Sequence, residues 1–165
     1  MGIARKARIF WPLLGMLLLA DCATKELAET YLDPSVPKPV VGEFFRLTLA
    51  YNPGAAMNLS LGRFSRVGFS LAAIAVSIVL WRWYRRPDTA RPGLVAALAL
   101  VTGGALGNLF DRLRSPRGVV DFIDLGLGSA RFWTFNIADI GVSLGAILLA
   151  WYVSRPQAAP TATQT

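Results

Sequence analysis

The 165 residues include no histidine and only one cysteine, Cys22. The first absence excludes Ser-His and Cys-His nucleophilic pairs, and one thiol with scattered carboxylates leaves too few ligands for an ordinary zinc site. The second excludes an internal disulfide. Charge is also scarce, at 16% of residues against 54% hydrophobic, which is too little polar surface for a soluble domain of this length. Chemistry must therefore come from Asp, Glu, Lys, Arg, Ser, Thr or Tyr, and no cofactor or metal is expected.

What the chain has instead is apolar runs. Ile9 to Ala20 is uncharged over 12 residues, whereas a bilayer span takes about 20. A first spanning helix must therefore continue through Asp21, Thr24 and Lys25, leaving polar groups at the edge of the hydrocarbon, where such groups are functional candidates by default. Three more apolar segments follow: Val67 to Trp81, Gly93 to Phe110 and Phe132 to Val153. The pattern predicts a polytopic α-helical membrane protein, one membrane domain over 1–155. Its four spans are expected near 9–28, 65–84, 93–112 and 134–154, with outer loops at 29–64 and 113–133. Residues 156–165, rich in Pro, Ala and Thr, read as a disordered tail.

The net charge of +7 raises the question of nucleic acid, and the distribution answers it. Arg5, Lys6, Arg8, Arg82, Arg85, Arg86, Arg91 and Arg155 share one side with a single acid, Asp88, while the rest of the chain carries nine basic and nine acidic residues. A positive-inside bias accounts for the whole excess, so both termini are expected in the cytoplasm, the long loops outside, and no nucleic-acid partner. Alternating Phe, Val, Thr and Trp with Gly and Pro punctuation predict short strands around 44–51, 118–124 and 131–135 in those loops.

In this orientation, polar residues gather at one level. Asp21 and Lys25 lie four apart on the first span, Asn108 and Arg112 four apart at the end of the third, and Asn136 and Asp139 three apart at the start of the fourth. Asp121 arrives from the second outer loop. Each has a plainer reading: Asn136 as a helix cap, Asp21 with Lys25 as a structural ion pair, Gly103 and Gly107 as a helix-packing pair. Asp111 and Asp124 read as solvated loop charges. Asp139 is harder to dismiss, because an unpaired carboxylate inside a membrane segment is expensive. Arg112 can neutralise one acid but not both Asp121 and Asp139. Two carboxylates forced together share a proton, which is what an aspartyl hydrolase needs to activate water and polarise a carbonyl.

Five blocks, "DCATK" (Asp21 to Lys25), "YNPGAAMNL" (Tyr51 to Leu59), "GGALGNLFDRL" (Gly103 to Leu113), "VVDFIDL" (Val119 to Leu125) and "FNIAD" (Phe135 to Asp139), resemble in order and spacing the motifs of the lipoprotein signal peptidases, signal peptidase II. The resemblance implies a bacterial inner-membrane aspartyl endopeptidase that cleaves diacylglyceryl-modified prolipoproteins before the lipidated cysteine. It implies four transmembrane helices with a small extracytoplasmic β-cradle and a mobile helical element, membrane lipid as surroundings, and globomycin-type peptide inhibitors. Asp121 and Asp139 look like the catalytic dyad. Asn52, Gly54, Gly104, Asn108, Arg112, Asn136 and Ala138 match positions that shape the substrate and inhibitor site, with Asp21 and Lys25 supporting. Three features depart from the family pattern: Met57 with Asn58, where an aromatic and a small residue are usual; Ile140, where a small polar residue is common; and "RLRSPRGVV", whose length varies.

Two readings from other classes stay open on the residues alone. Intramembrane Asp, Asn and Arg also build ion pathways, as in a small transporter or channel subunit. Alternatively "ARKAR", an apolar run and "LADC" mimic a lipidation signal at Cys22, although Asp21 is a poor fit to the small residue such a site wants.

Overall fold

The structure, a computed structural model, describes residues 3–54, 62–87, 89 and 91–155. Met57, Asn58 and the expected tail lie outside the described residues. Among the described residues four helices, α1 (Ile3–Tyr31), α2 (Ser65–Tyr84), α3 (Pro92–Arg114) and α4 (Ile137–Ser154), are long and apolar enough to cross a membrane. Their large side chains are turned outward: Leu19, Leu71, Ile78, Val79, Ile147 and Val153 are exposed. Such an arrangement is stable only where the surroundings are as apolar as the side chains, since within lipid the helices satisfy their own backbone groups.

The helix α3 is central and packs against each of the other three. Its small residues allow the approach. A methyl group built on Gly103 would sit 3.1 Å from Leu17, and one on Gly104 would sit 2.3 Å from the Ala138 carbonyl oxygen. The Gly103 and Gly107 pair thus packs on α1, as the small-residue pattern predicts. Toward the end that carries the basic residues, Phe10, Leu14, Leu80, Tyr84, Val95 and Leu98 form an apolar core. There Lys6 Nζ donates to the carbonyls of Tyr84 (3.3 Å) and Arg86 (2.5 Å), closing the last turn of α2.

At the opposite end lies a four-stranded antiparallel sheet in the order β1 (Lys38–Val41), β2 (Phe45–Asn52), β3 (Val119–Leu127), β4 (Ala130–Arg131). Leu49, Val120 and Phe122 pack from it onto Ala28 of α1. The β2–β3 register sets Ala50 opposite Asp121 and Asn52 opposite Val119. The turn into β3 requires glycine, because Gly118 has φ +96° and a methyl group on it would lie 2.1 Å from the Asn52 carbonyl oxygen.

Several expectations change. α1 is longer than 9–28 at both ends, and α4 starts at Ile137 because Asn136 is its cap. Two strands match the expected positions closely, whereas β1 in "KPVV", which follows Pro37 and contains Pro39, carries no alternation that reveals it. The stretch expected as a strand at 131–135 contributes only Arg131 to β4; Phe135 then bridges Ile123 before the chain turns into the α4 cap. Asp111 and Asp124 are not solvated, at 8% and 4% exposure. Asp124 is clasped by Arg131 Nε (2.6 Å), Arg46 Nη2 (2.8 Å) and the Thr48 hydroxyl (2.9 Å). Burial alone would push its carboxyl up, but these donors win and hold it below the usual range.

Candidate active site

Asp121 and Asp139 reach one cavity from different elements. Asp121 lies in β3, among residues buried on both faces, and is 3% exposed. Asp139 is in the first turn of α4 and half-buried. Both line a cavity of about 720 Å³ whose other walls include Tyr51, Asn52, Phe132, Trp133, Phe135, Ile140, Val142 and Leu144. One face of the cavity is thus polar and the rest aromatic or aliphatic.

Asn136 joins the two aspartates. Its side-chain oxygen accepts from the Asp139 N–H (3.0 Å), and Asp139 Oδ2 accepts from the Asn136 N–H (3.1 Å), the reciprocal capping box that starts α4. Its Nδ2 donates to Asp121 Oδ1 (2.7 Å) and faces the Val120 carbonyl and Asn108 Oδ1. The capping reading of Asn136 and the functional one therefore describe the same side chain. Asn108 Nδ2 donates to Asp139 Oδ1 (2.8 Å), and Asn52 Nδ2 to Asp121 Oδ2 (3.2 Å). Every carboxylate oxygen of the pair thus receives an N–H.

The two acids differ in surroundings. Burial first, and then the nearby Asp139 charge, push the Asp121 carboxyl from 3.8 up to about 7, against the hydrogen bonds of Asn52 and Asn136 and the charge of Lys25. Asp139 sits where the α4 dipole favours an anion and is open to the cavity. The arrangement suits one shared proton, held on the buried member.

The remaining candidates divide by location. Lys25 Nζ contacts Asp21 Oδ2 (2.7 Å), Asp111 Oδ2 (2.8 Å) and Asn108 Oδ1 (3.0 Å), so the structural ion pair foreseen for Asp21 and Lys25 is one edge of a larger buried cluster. Asp21 Oδ1 accepts from the Ala138 N–H (2.9 Å). Arg112 forms no salt bridge with Asp121 or Asp139; Nη1 donates to the Asn108 carbonyl (3.1 Å), Nε lacks a hydrogen-bond partner among the described residues, and the group stacks over Phe69. Its charge still acts through space on both. Gly54 takes φ +130° against Ser65 and donates its N–H to Asn52 Oδ1 (3.0 Å), fixing the amide that faces Asp121. Gly104 and Ala138 meet at the α3–α4 seam and do not line the cavity.

The match to known proteins is extensive. A family model described as signal peptidase (SPase) II matches residues 13–155. The chain belongs to the signal peptidase II family. Among its relatives, the lipoprotein signal peptidase of Moorella thermoacetica is 43% identical over 146 residues, covering 87% of this chain and 92% of that protein. That of Ectopseudomonas mendocina is 42% identical, covering 89% of each. Two solved structures of bacterial membrane enzymes, determined by the in meso method at 2.3 and 1.9 Å resolution, superpose with TM-scores of 0.80 and 0.79 at 25% and 26% identity, over at least 94% of this chain and 96% of each of theirs.

As a signal peptidase II, the protein is a peptidase, a hydrolase whose helices are built for the membrane. Membership sets aside the transporter reading. Cys22 is exposed in the middle of the unbroken α1, one residue from the buried Asp21. Sequence reasoning missed Asp111 as a member of the polar cluster. Its helical spacing of three from Asn108, facing the same side, was the available signal. It also missed Thr134 and Ser143, small polar residues in the cavity wall; Ser143 follows Asp139 by one helical turn on α4, so its spacing was an available signal.

Proposed function

We propose that this protein is an aspartyl endopeptidase of the bacterial inner membrane that removes signal peptides from diacylglyceryl-modified prolipoproteins, cleaving before the lipidated cysteine. The observation that carries this reading is the meeting of Asp121 and Asp139 in one cavity wall, tied through Asn136. The relatives' name, lipoprotein signal peptidase, supports the substrate class. The aromatic and aliphatic walls beside the two acids suit a substrate whose acyl chains remain in lipid while its peptide bond reaches the polar face.

In the resting enzyme the pair shares one proton, which lies on the more deeply buried Asp121. A water between them attacks the scissile carbonyl carbon as Asp139 takes a water proton, and Asp121 donates its proton to the carbonyl oxygen. The resulting tetrahedral diol is non-covalent with respect to the enzyme. Its collapse breaks the C–N bond: Asp139 returns its proton to the cysteine nitrogen, and Asp121 recovers one from the diol hydroxyl, restoring the starting state. The amide N–H groups of Asn108 and Asn136 already serve the two carboxylates and their neighbours. They orient the dyad, and the Asp121 proton supplies the polarisation.

The decisive experiment incubates the purified protein, in detergent or lipid, with a diacylated prolipoprotein and with the same chain unmodified. Cleavage before the cysteine in the diacylated form alone is expected. Absence of cleavage in both, or equal cleavage of both, rejects the assignment.

A further inference from the structure

Asp111, which the sequence suggests is a loop charge, is buried at the end of α3, with one oxygen doing two things. Asp111 Oδ2 lies 2.8 Å from Lys25 Nζ and accepts from the Val120 N–H (3.2 Å). Val120 immediately precedes Asp121. Asp21, the other carboxylate on Lys25, accepts from the Ala138 N–H (2.9 Å), and Ala138 immediately precedes Asp139. One buried ammonium thus joins two carboxylates, each holding the backbone N–H just before one cavity aspartate. Beyond the N–H, the Val120 carbonyl accepts from Asn136, so both peptide groups flanking Val120 are fixed. From the same nitrogen Lys25 donates to Asn108 Oδ1, which turns Nδ2 of that amide to Asp139.

We infer that Asp111, Lys25 and Asp21 form a yoke that sets the separation of Asp121 and Asp139, with Asp111 the positioning residue for Asp121. A buried ion cluster is no economical source of stability, because desolvating three charges offsets most of their attraction. Its geometry here has another use: the backbones carrying the two acids belong to a strand and a helix joined through β4 and the Asn136 cap, and the yoke spans them from α1 and α3. The two acids share a proton only at a particular separation, so the yoke governs proton sharing as well as reach.

The inference rests on the proposed function, and its tests separate the two. Asp111→Leu removes both the acceptor and the charge; Asp111→Asn keeps an oxygen for the Val120 N–H and loses only the charge. With diacylated prolipoprotein, Asp111→Leu is expected to lower kcat by about 100-fold, the scale of an ångström of misplacement, with KM little changed. Asp111→Asn should recover at least tenfold of that loss. Its alkaline limb should move to lower pH, since an unshared Lys25 charge favours ionised Asp121. The charged groups facing Asp121 are Asp139 from α4, Lys25 from α1 and Arg112 from α3. Lys25→Met should move the limb the other way. Hydrogen exchange supplies a readout independent of turnover: the peptide spanning 116–124 should gain about one fast-exchanging amide in Asp111→Leu and none in Asp111→Asn. Should Asp111→Leu fail to fold, the opposite limb shifts of the other two variants still decide. A folded Asp111→Leu with wild-type kcat and wild-type exchange, or coincident pH profiles in all variants, overturns the yoke. If wild-type protein cleaves neither substrate, the proposed function fails and the exchange result alone judges the yoke.

Discussion

Asp121 and Asp139 carry the same functional group in unlike surroundings, and the difference yields two predictions. Asn at either position keeps the shape but cannot take up or share the proton. Asp121→Asn and Asp139→Asn should each fold and bind substrate while turnover falls by about 10³-fold or more, with the double variant little worse, since groups acting as a unit are non-additive. Single-turnover measurement beside a binding assay checks this, and substantial activity in either single variant counts against the dyad. The second concerns pH. With its carboxyl raised to about 7, Asp121 loses its proton as pH rises through that value, so activity should fall on the alkaline side. The same group contributes stability that is complete below its unfolded value of 3.8 and is lost as pH rises toward 7, because the folded state holds the proton more tightly. Melting temperature should decline over that window in wild type and decline less in Asp121→Asn. Identical slopes in the two proteins would mean that Asp121 is not the buried acid.

The elements explain what the sequence made legible. The helices were readable because lipid rewards a run of apolar residues whatever it packs against, and because a spacing of four puts Asp21 with Lys25 and Asn108 with Arg112 on shared faces. What stayed hidden needed a partner from elsewhere. Asp111 and Asp124 look identical to solvated charges until Lys25 of α1 and Arg131 after β3 are brought to them. The edge strand β1 lies in pairing that its own residues do not encode. Gly104 shows how packing redirects an expectation. Matched to a substrate-shaping position by resemblance, it lies where any side chain would collide with the turn of α4 that begins the Ala138 to Val142 stretch. Gly104→Leu should therefore separate α3 from α4 and lower stability by about 1–3 kcal/mol or more, the usual cost of overpacking. Thermal unfolding in detergent, run beside kcat and KM, distinguishes the alternatives. Unchanged melting with a raised KM would return Gly104 to the substrate path.

At the scale of the whole molecule, charge and chemistry occupy opposite ends. The Lys6 contact at the end of α2 and the arginines around it lie at one end of the bundle, while the sheet, the yoke and both cavity aspartates lie at the other. Basic residues in short loops are retained on the cytoplasmic side, so the net excess of +7 predicts that the polar end faces outward. This matters to the reaction, because a prolipoprotein inserted through the membrane presents its cysteine at the outer surface, where a site at the inner face would never meet it. The orientation is thus a prediction with a functional consequence. A reporter active only outside the cytoplasm, fused within the loop that carries β1 and β2, should be active, and one fused after Arg155 should be silent. Moving the bias tests the cause: replacing Arg5, Lys6 and Arg8 with neutral residues should yield a mixed orientation and a matching loss of prolipoprotein processing. A cytoplasmic signal from the wild-type β1–β2 loop would reverse the topology and separate the site from its proposed substrate.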